Sequence, residues 1–142
     1  MATPRRQQQR GLSRVDGLLW ALTAACATAT LWFSFVEAPP GAGSFAGADK
    51  VLHATAYFAT SLSFLLAAVW HPGRGDGPFP VAGHIVPVLA IGAGIVIEIL
   101  QGMTATRKAE VGDVVAEVVG VLAALAVHAW LRIRSPGRSA TR

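Results

Sequence analysis

The chain predicts an all-α fold, a four-helix transmembrane bundle with both termini on the cytoplasmic side. Two observations carry the prediction: four apolar runs of about 20 residues each, and a mean hydropathy of +0.49 with 14% charged residues. A soluble domain carries about 25% charge. A helix rising about 1.5 Å per residue covers the ~30 Å hydrocarbon core in about 20 residues. The 142 residues allow a single membrane domain, 1–142. With Cys26 as the sole cysteine, an internal disulfide and any CxxC motif are excluded.

The first expected helix, 17–36, is uncharged and carries Trp32 near its end. It follows a basic tail, 1–14, with Arg5, Arg6, Arg10 and Arg14. Its apolar length exceeds a 7–15-residue signal-peptide core and no clear A-x-A site follows it, so it reads as a retained span. The second, 51–70, contains His53 and Tyr57; the third, 81–101, contains Pro87 and Glu98. The fourth, 113–133, contains Glu117 and Trp130, and a basic tail, 134–142, closes the chain. Links rich in Gly and Pro separate the first three runs, and a shorter polar link precedes the fourth.

Nine of the twelve Lys and Arg fall in the two tails and the second link, against Lys50, Arg107 and Lys108 in the other two links. The positive-inside rule then predicts an N-in, C-in, multi-pass protein of the plasma (cytoplasmic) membrane. The positive charges flank apolar segments and form no basic domain, which argues against nucleic acid as a partner.

This orientation brings polar residues of three helices to one outer layer. Lys50, His53, Tyr57 and Ser61 share one helical stripe; Gly94, Glu98 and Gln101 share another; Asp113, Glu117, Gly120 and Ala124 share a third. A charged side chain at bilayer depth costs roughly 2.5–3.5 kcal/mol on insertion scales, so these stripes are expected to face one another. The small residues below each acid suit close helix approach.

The same residues resemble the VanZ-like membrane protein family. Asp49-Lys50-x-x-His53-x-x-x-Tyr57-Phe58 is similar to its signature near a helix start. Glu98-x-x-Gln101, then Arg107, Asp113 and Gly120, follow its second motif in order and spacing. The likeness spans about residues 49–124. Glu117 stands where the family has Asn, and Ala105-Thr106 where it has Pro-Gly. The resemblance implies a small integral membrane protein of the cell envelope, from a family whose founding members are linked to glycopeptide (teicoplanin) resistance. It implies no reaction.

From the residues, ligand-binding candidates are Lys50, His53, Tyr57, Glu98, Gln101 and Arg107. Lys50 and Arg107 suit an anionic group, Arg bidentately. His53 and Glu98 are also the catalytic candidates, as an acid–base pair, or else a structural tie between the second and third helices. Whether the chain is an enzyme stays open. Asp49, Asp113 and Glu117 are expected as structural support, with Asp113 capping the fourth helix. Glu117 needs a partner, with His53, Lys50 and Arg107 as candidates, or else a proton of its own.

A metal set of His53, Glu98, Asp113 and Glu117 can be drawn, but it holds one His and no HExxH pair, so no metal and no cofactor is expected. The expected partners are membrane lipids and a cell-wall precursor or peptide ligand, and a homo-oligomer is compatible with four helices. The leading expectation is binding of a lipid-linked or peptide ligand at the outer leaflet. The alternatives are an intramembrane acid–base enzyme and a structural or assembly protein.

Overall fold

The computed structural model describes residues 4–36, 43–69, 82–104 and 110–134. They form α1 (Pro4–Phe35), α2 (Ala48–Val69), α3 (Ala82–Gly102) and α4 (Val111–Arg134), with no strand among the described residues. Each helix contains a stretch long and apolar enough to cross a membrane: Arg14–Phe35, Ala48–Ala68, His84–Gly102 and Val111–Arg134. By length and composition the chain is a helical multi-pass membrane protein.

Three helix starts differ from the sequence expectation. The first helix runs back through most of the basic segment 1–14 to Pro4. Proline is preorganised for a first helical position, and the Arg and Gln residues that follow are good helix formers. The second begins at Ala48, after Gly47 at φ 83°. That left-handed turn lets Ala48 N–H donate to Phe45 O (3.1 Å) and Val51 N–H to Gly47 O (3.2 Å). Asp49 and Lys50 therefore lie inside α2. The fourth helix begins at Val111, which makes Asp113 a first-turn residue and not a cap. Its N–H donates to Glu110 O (2.9 Å).

Helix α2 is central, packing most extensively on α4 and then on α1; α3 packs on α4 and α2 and barely meets α1. The α2–α4 approach depends on Gly120, where a Cβ would overlap the carbonyl oxygen of Ala54 and lie 3.0 Å from Phe58 N. The buried stripe of α4 is Asp113, Ala116, Glu117, Gly120, Val121, Ala124 and His128, one face at helical spacing. Farther along the bundle Leu65, Val86 and Ala124 form an apolar core with Phe58, Leu62, Phe64 and Leu125 against it.

Lipid tails are as apolar as leucine, so polar ties and close packing carry much of the association. The Thr30 and Thr60 hydroxyls bond at 2.9 Å between α1 and α2. The Gln101 amide donates to the carbonyl of Ser34, tying the end of α3 to that of α1. Val88, Leu89, Ile99, Val115, Val119 and Leu122 point outward, as a lipid-facing surface requires.

Candidate functional site

The N-terminal ends of α2 and α4 and the C-terminal end of α3 meet at one end of the bundle. Nearest that end, Lys50 Nζ donates to Asp49 Oδ2 (2.8 Å), Glu110 Oε2 (2.8 Å) and Asp113 Oδ1 (3.0 Å). An ammonium has three donors, and all three are used. Gly112 gives the lysine its path, since a Cβ there would sit 2.7 Å from Lys50 Cε.

One turn deeper, His53 lies between two carboxylates of α4. Its Nδ1 is 3.5 Å from Glu117 Oε1 and its Nε2 is 3.9 Å from Asp113 Oδ2, ion-pair separations longer than a hydrogen bond. Glu98 approaches from α3: its Oε2 accepts the Glu110 N–H (3.0 Å), which fixes the carboxylate and leaves Oε1 without a hydrogen-bond partner. His53, Glu98 and Glu117 each present a donor atom, all within 4.8 Å of one another.

Glu117 is 1% exposed, and neither of its carboxylate oxygens has a hydrogen-bond partner. The buried Tyr57 hydroxyl is likewise unpartnered. Gly94 makes room for both: a Cβ on it would collide with the Glu117 carboxylate and lie 3.1 Å from the Tyr57 oxygen. A buried polar group without a partner costs about 1–3 kcal/mol, more when charged. Several such groups converging on one space mark it for a ligand. Among the described residues the electrostatic balance is acidic, with Asp49, Glu98, Glu110, Asp113 and Glu117 set against Lys50 and His53.

The polar cluster adjoins a cleft. Between α1 and α2 lies a cavity of about 200 Å³, walled by Cys26, Ala29 and Phe33 on one side and Leu52 and Ala56 on the other. Asp49, His53 and Tyr57 also line it, so it runs from apolar helix walls to the edge of the acidic cluster.

The structure thus brings Lys50, His53, Tyr57, Glu98, Asp49, Asp113 and Glu117 to one end. Several roles differ from expectation. Asp113 binds Lys50 instead of capping α4. His53, by contrast, approaches Glu117 at ion-pair distance, as one of the partners expected for that acid, and also shares a space with Glu98. Gln101 is fully buried and spends its amide on Ser34. Gly92 faces open space. His128 is a buried packing residue, while His84 is exposed. Arg107, with Lys108, lies outside the described residues.

Sequence reasoning missed Glu110, which bonds Lys50 through its side chain and Glu98 through its N–H. Its signal was an acid just before a helix start. The contribution of α1 to the cleft was missed as well, because small apolar residues carry no chemical signature.

The fold and the site together define a four-helix membrane protein with an acidic, partly unsatisfied cluster at one end of the bundle. Comparison of the chain with protein families, curated proteins and solved structures gives no match.

Proposed function

We propose that this chain is a VanZ-like protein of the cell envelope that binds a lipid-linked or peptide ligand, with the apolar part in the α1–α2 cleft and the polar part at the acidic cluster. The observation that carries this reading is the continuity of the cleft with the cluster: Ala29 and Ala56 stand in its walls, and Asp49 and His53 line it too. An amphiphile has that same division. The positive-inside bias supports setting the polar end at the outer leaflet of the plasma membrane, where cell-wall precursors present their head groups. Tolerance of glycopeptides such as teicoplanin is the phenotype this reading assigns.

The local chemistry revises which head group suits the site. Lys50 is neutralised by three carboxylates, so it offers little to a phosphate. The excess of acids among the described residues favours a cationic or hydrogen-bond-donating group, such as the amino group of a peptide stem.

A second reading, an intramembrane enzyme, rests on the Glu98 carboxylate, with its unpartnered Oε1, grouped with His53, a pairing suited to general acid–base work. Mass spectrometry of envelope lipids and wall precursors separates the two. Cells lacking the protein are compared with cells expressing wild type or Glu98→Gln at equal abundance. Binding predicts an unchanged covalent inventory and a ligand that co-purifies with wild type. A species that accumulates or vanishes only with wild type establishes the enzyme instead. An unchanged inventory with no co-purifying ligand removes both.

A further inference from the structure

We infer that His53, Glu98 and Glu117 form a binding site for one divalent transition-metal cation, of which Zn²⁺ is the natural probe. The inference stands on the cluster alone and does not depend on what occupies the cleft. One imidazole and two carboxylates make a donor set for first-row divalent ions, and Zn²⁺ ranks high among them for nitrogen and oxygen ligands.

Four observations converge. First, the three donor atoms lie within 4.8 Å of one another, contributed by three different helices. A cation about 2.0–2.2 Å from each needs only a small side-chain closure. Second, Glu117 is 1% exposed with both oxygens unpartnered, and Glu98 is 4% exposed with Oε1 unpartnered. Two carboxylates in such a place need a counter-charge, and a dication matches them one for one.

Third, the neighbouring acid group already has its cation. Asp49, Glu110 and Asp113 also form a triad of potential ligands, but the Lys50 ammonium sits among them. Among the described residues no such ammonium reaches the oxygens of Glu117.

Fourth, the outer contacts are those that orient metal ligands. Glu98 Oε2 is held by the Glu110 N–H, which fixes the carboxylate and leaves its buried Oε1 without a partner. With Nδ1 of His53 on the side of Glu117, Nε2 lies 3.9 Å from Asp113 Oδ2, so a small closure would give the carboxylate–histidine bond that orients a ligating imidazole. Asp113 is in turn held by Lys50. The sequence alone argued against a metal, on the count of histidines. The burial of Glu117 beside His53 reverses that argument.

The test uses the full chain in detergent micelles, with any histidine tag removed. After chelator treatment it is equilibrated with micromolar free Zn²⁺, and bound metal is counted by mass spectrometry. One equivalent per chain is expected. Glu98→Gln and Glu117→Gln, close in shape and uncharged, are each expected to weaken Zn²⁺ at least about 10-fold, since even outer partners of metal ligands command 10–100-fold. His84→Ala, at an exposed histidine, leaves affinity unchanged.

Co²⁺ supplies a readout that needs no variant: visible ligand-field bands, displaced by stoichiometric Zn²⁺, are expected from wild type. Wild type that binds no Zn²⁺ and shows no Co²⁺ bands overturns the inference. Zn²⁺ retained at full affinity by folded Glu98→Gln and Glu117→Gln overturns it equally, because the ion then sits elsewhere.

Discussion

Replacing Gly120 with alanine drives a methyl group into the main chain of α2, and the cost can be worked from the contact. The new Cβ would overlap Ala54 O and lie 3.0 Å from both Ala54 C and Phe58 N. Ordinary carbon contacts sit at about 3.5–4.0 Å. The obstructing atoms are backbone, so no rotamer change relieves them and α4 must move off α2. Overpacking of this kind costs about 1–3 kcal/mol, and a backbone obstacle belongs at the upper end. Alanine returns up to about 1 kcal/mol of helix propensity relative to glycine, leaving a net loss of about 2 kcal/mol. Gly92→Ala is the control: nothing lies within 4 Å of its Cβ, so only the propensity gain remains. The two variants should differ by about 3 kcal/mol, more than 100-fold in the unfolding equilibrium. Unfolding in mixed micelles with a denaturing detergent, followed by circular dichroism, measures the difference. Stabilities equal within about 0.5 kcal/mol refute the close α2–α4 crossing.

The other predictions concern the polar end and its ties. Lys50→Met leaves buried Asp113 without its cation and should destabilise by about 1–2 kcal/mol; the exposed arms to Asp49 and Glu110 contribute little. Adding Asp113→Asn should recover part of that loss, a coupling that a double-mutant cycle in the same assay reads directly. Gln101→Ala removes the bond to Ser34 and should cost about 0.6–2 kcal/mol, seen as a lower midpoint in the same titration. Gly94→Ala overlaps the flexible end of Glu117 and comes within 3.1 Å of the Tyr57 hydroxyl, side-chain ends and not backbone, so both should give way and the carboxylate is displaced with the helices in place. Zn²⁺ affinity should then fall at least about 10-fold in a folded protein, as isothermal calorimetry would report.

The four spans and the gathering of polar residues at one end were legible because both follow from periodicity. Lys50, His53 and Tyr57 share a stripe at helical spacing whatever their partners, and membrane burial forces such stripes inward. Which of its candidate partners each acid meets inside the cluster was not legible. The approach of His53 to Glu117 depends on how near α4 comes to α2, and that depends on Gly120 meeting Ala54. Asp113 reads as a helix cap when the apolar run is taken to begin there; α4 begins at Val111, which sends the carboxylate to Lys50. Glu110 was invisible because its role needs both its side chain and its N–H placed between two helices. The cleft had no sequence signal, since Ala29 and Ala56 look like any small residues in a span.

Native mass spectrometry of the protein released from gentle detergent tests the central claim most directly, that the α1–α2 cleft holds an amphiphile leading to the acidic cluster. Wild type is compared with Ala56→Trp, which fills the cleft wall, and with Val88→Trp, which enlarges an outward-facing residue. The account predicts one defined bound amphiphile on wild type and on Val88→Trp, lost from Ala56→Trp. The same mixed bulk lipids on all three would contradict it.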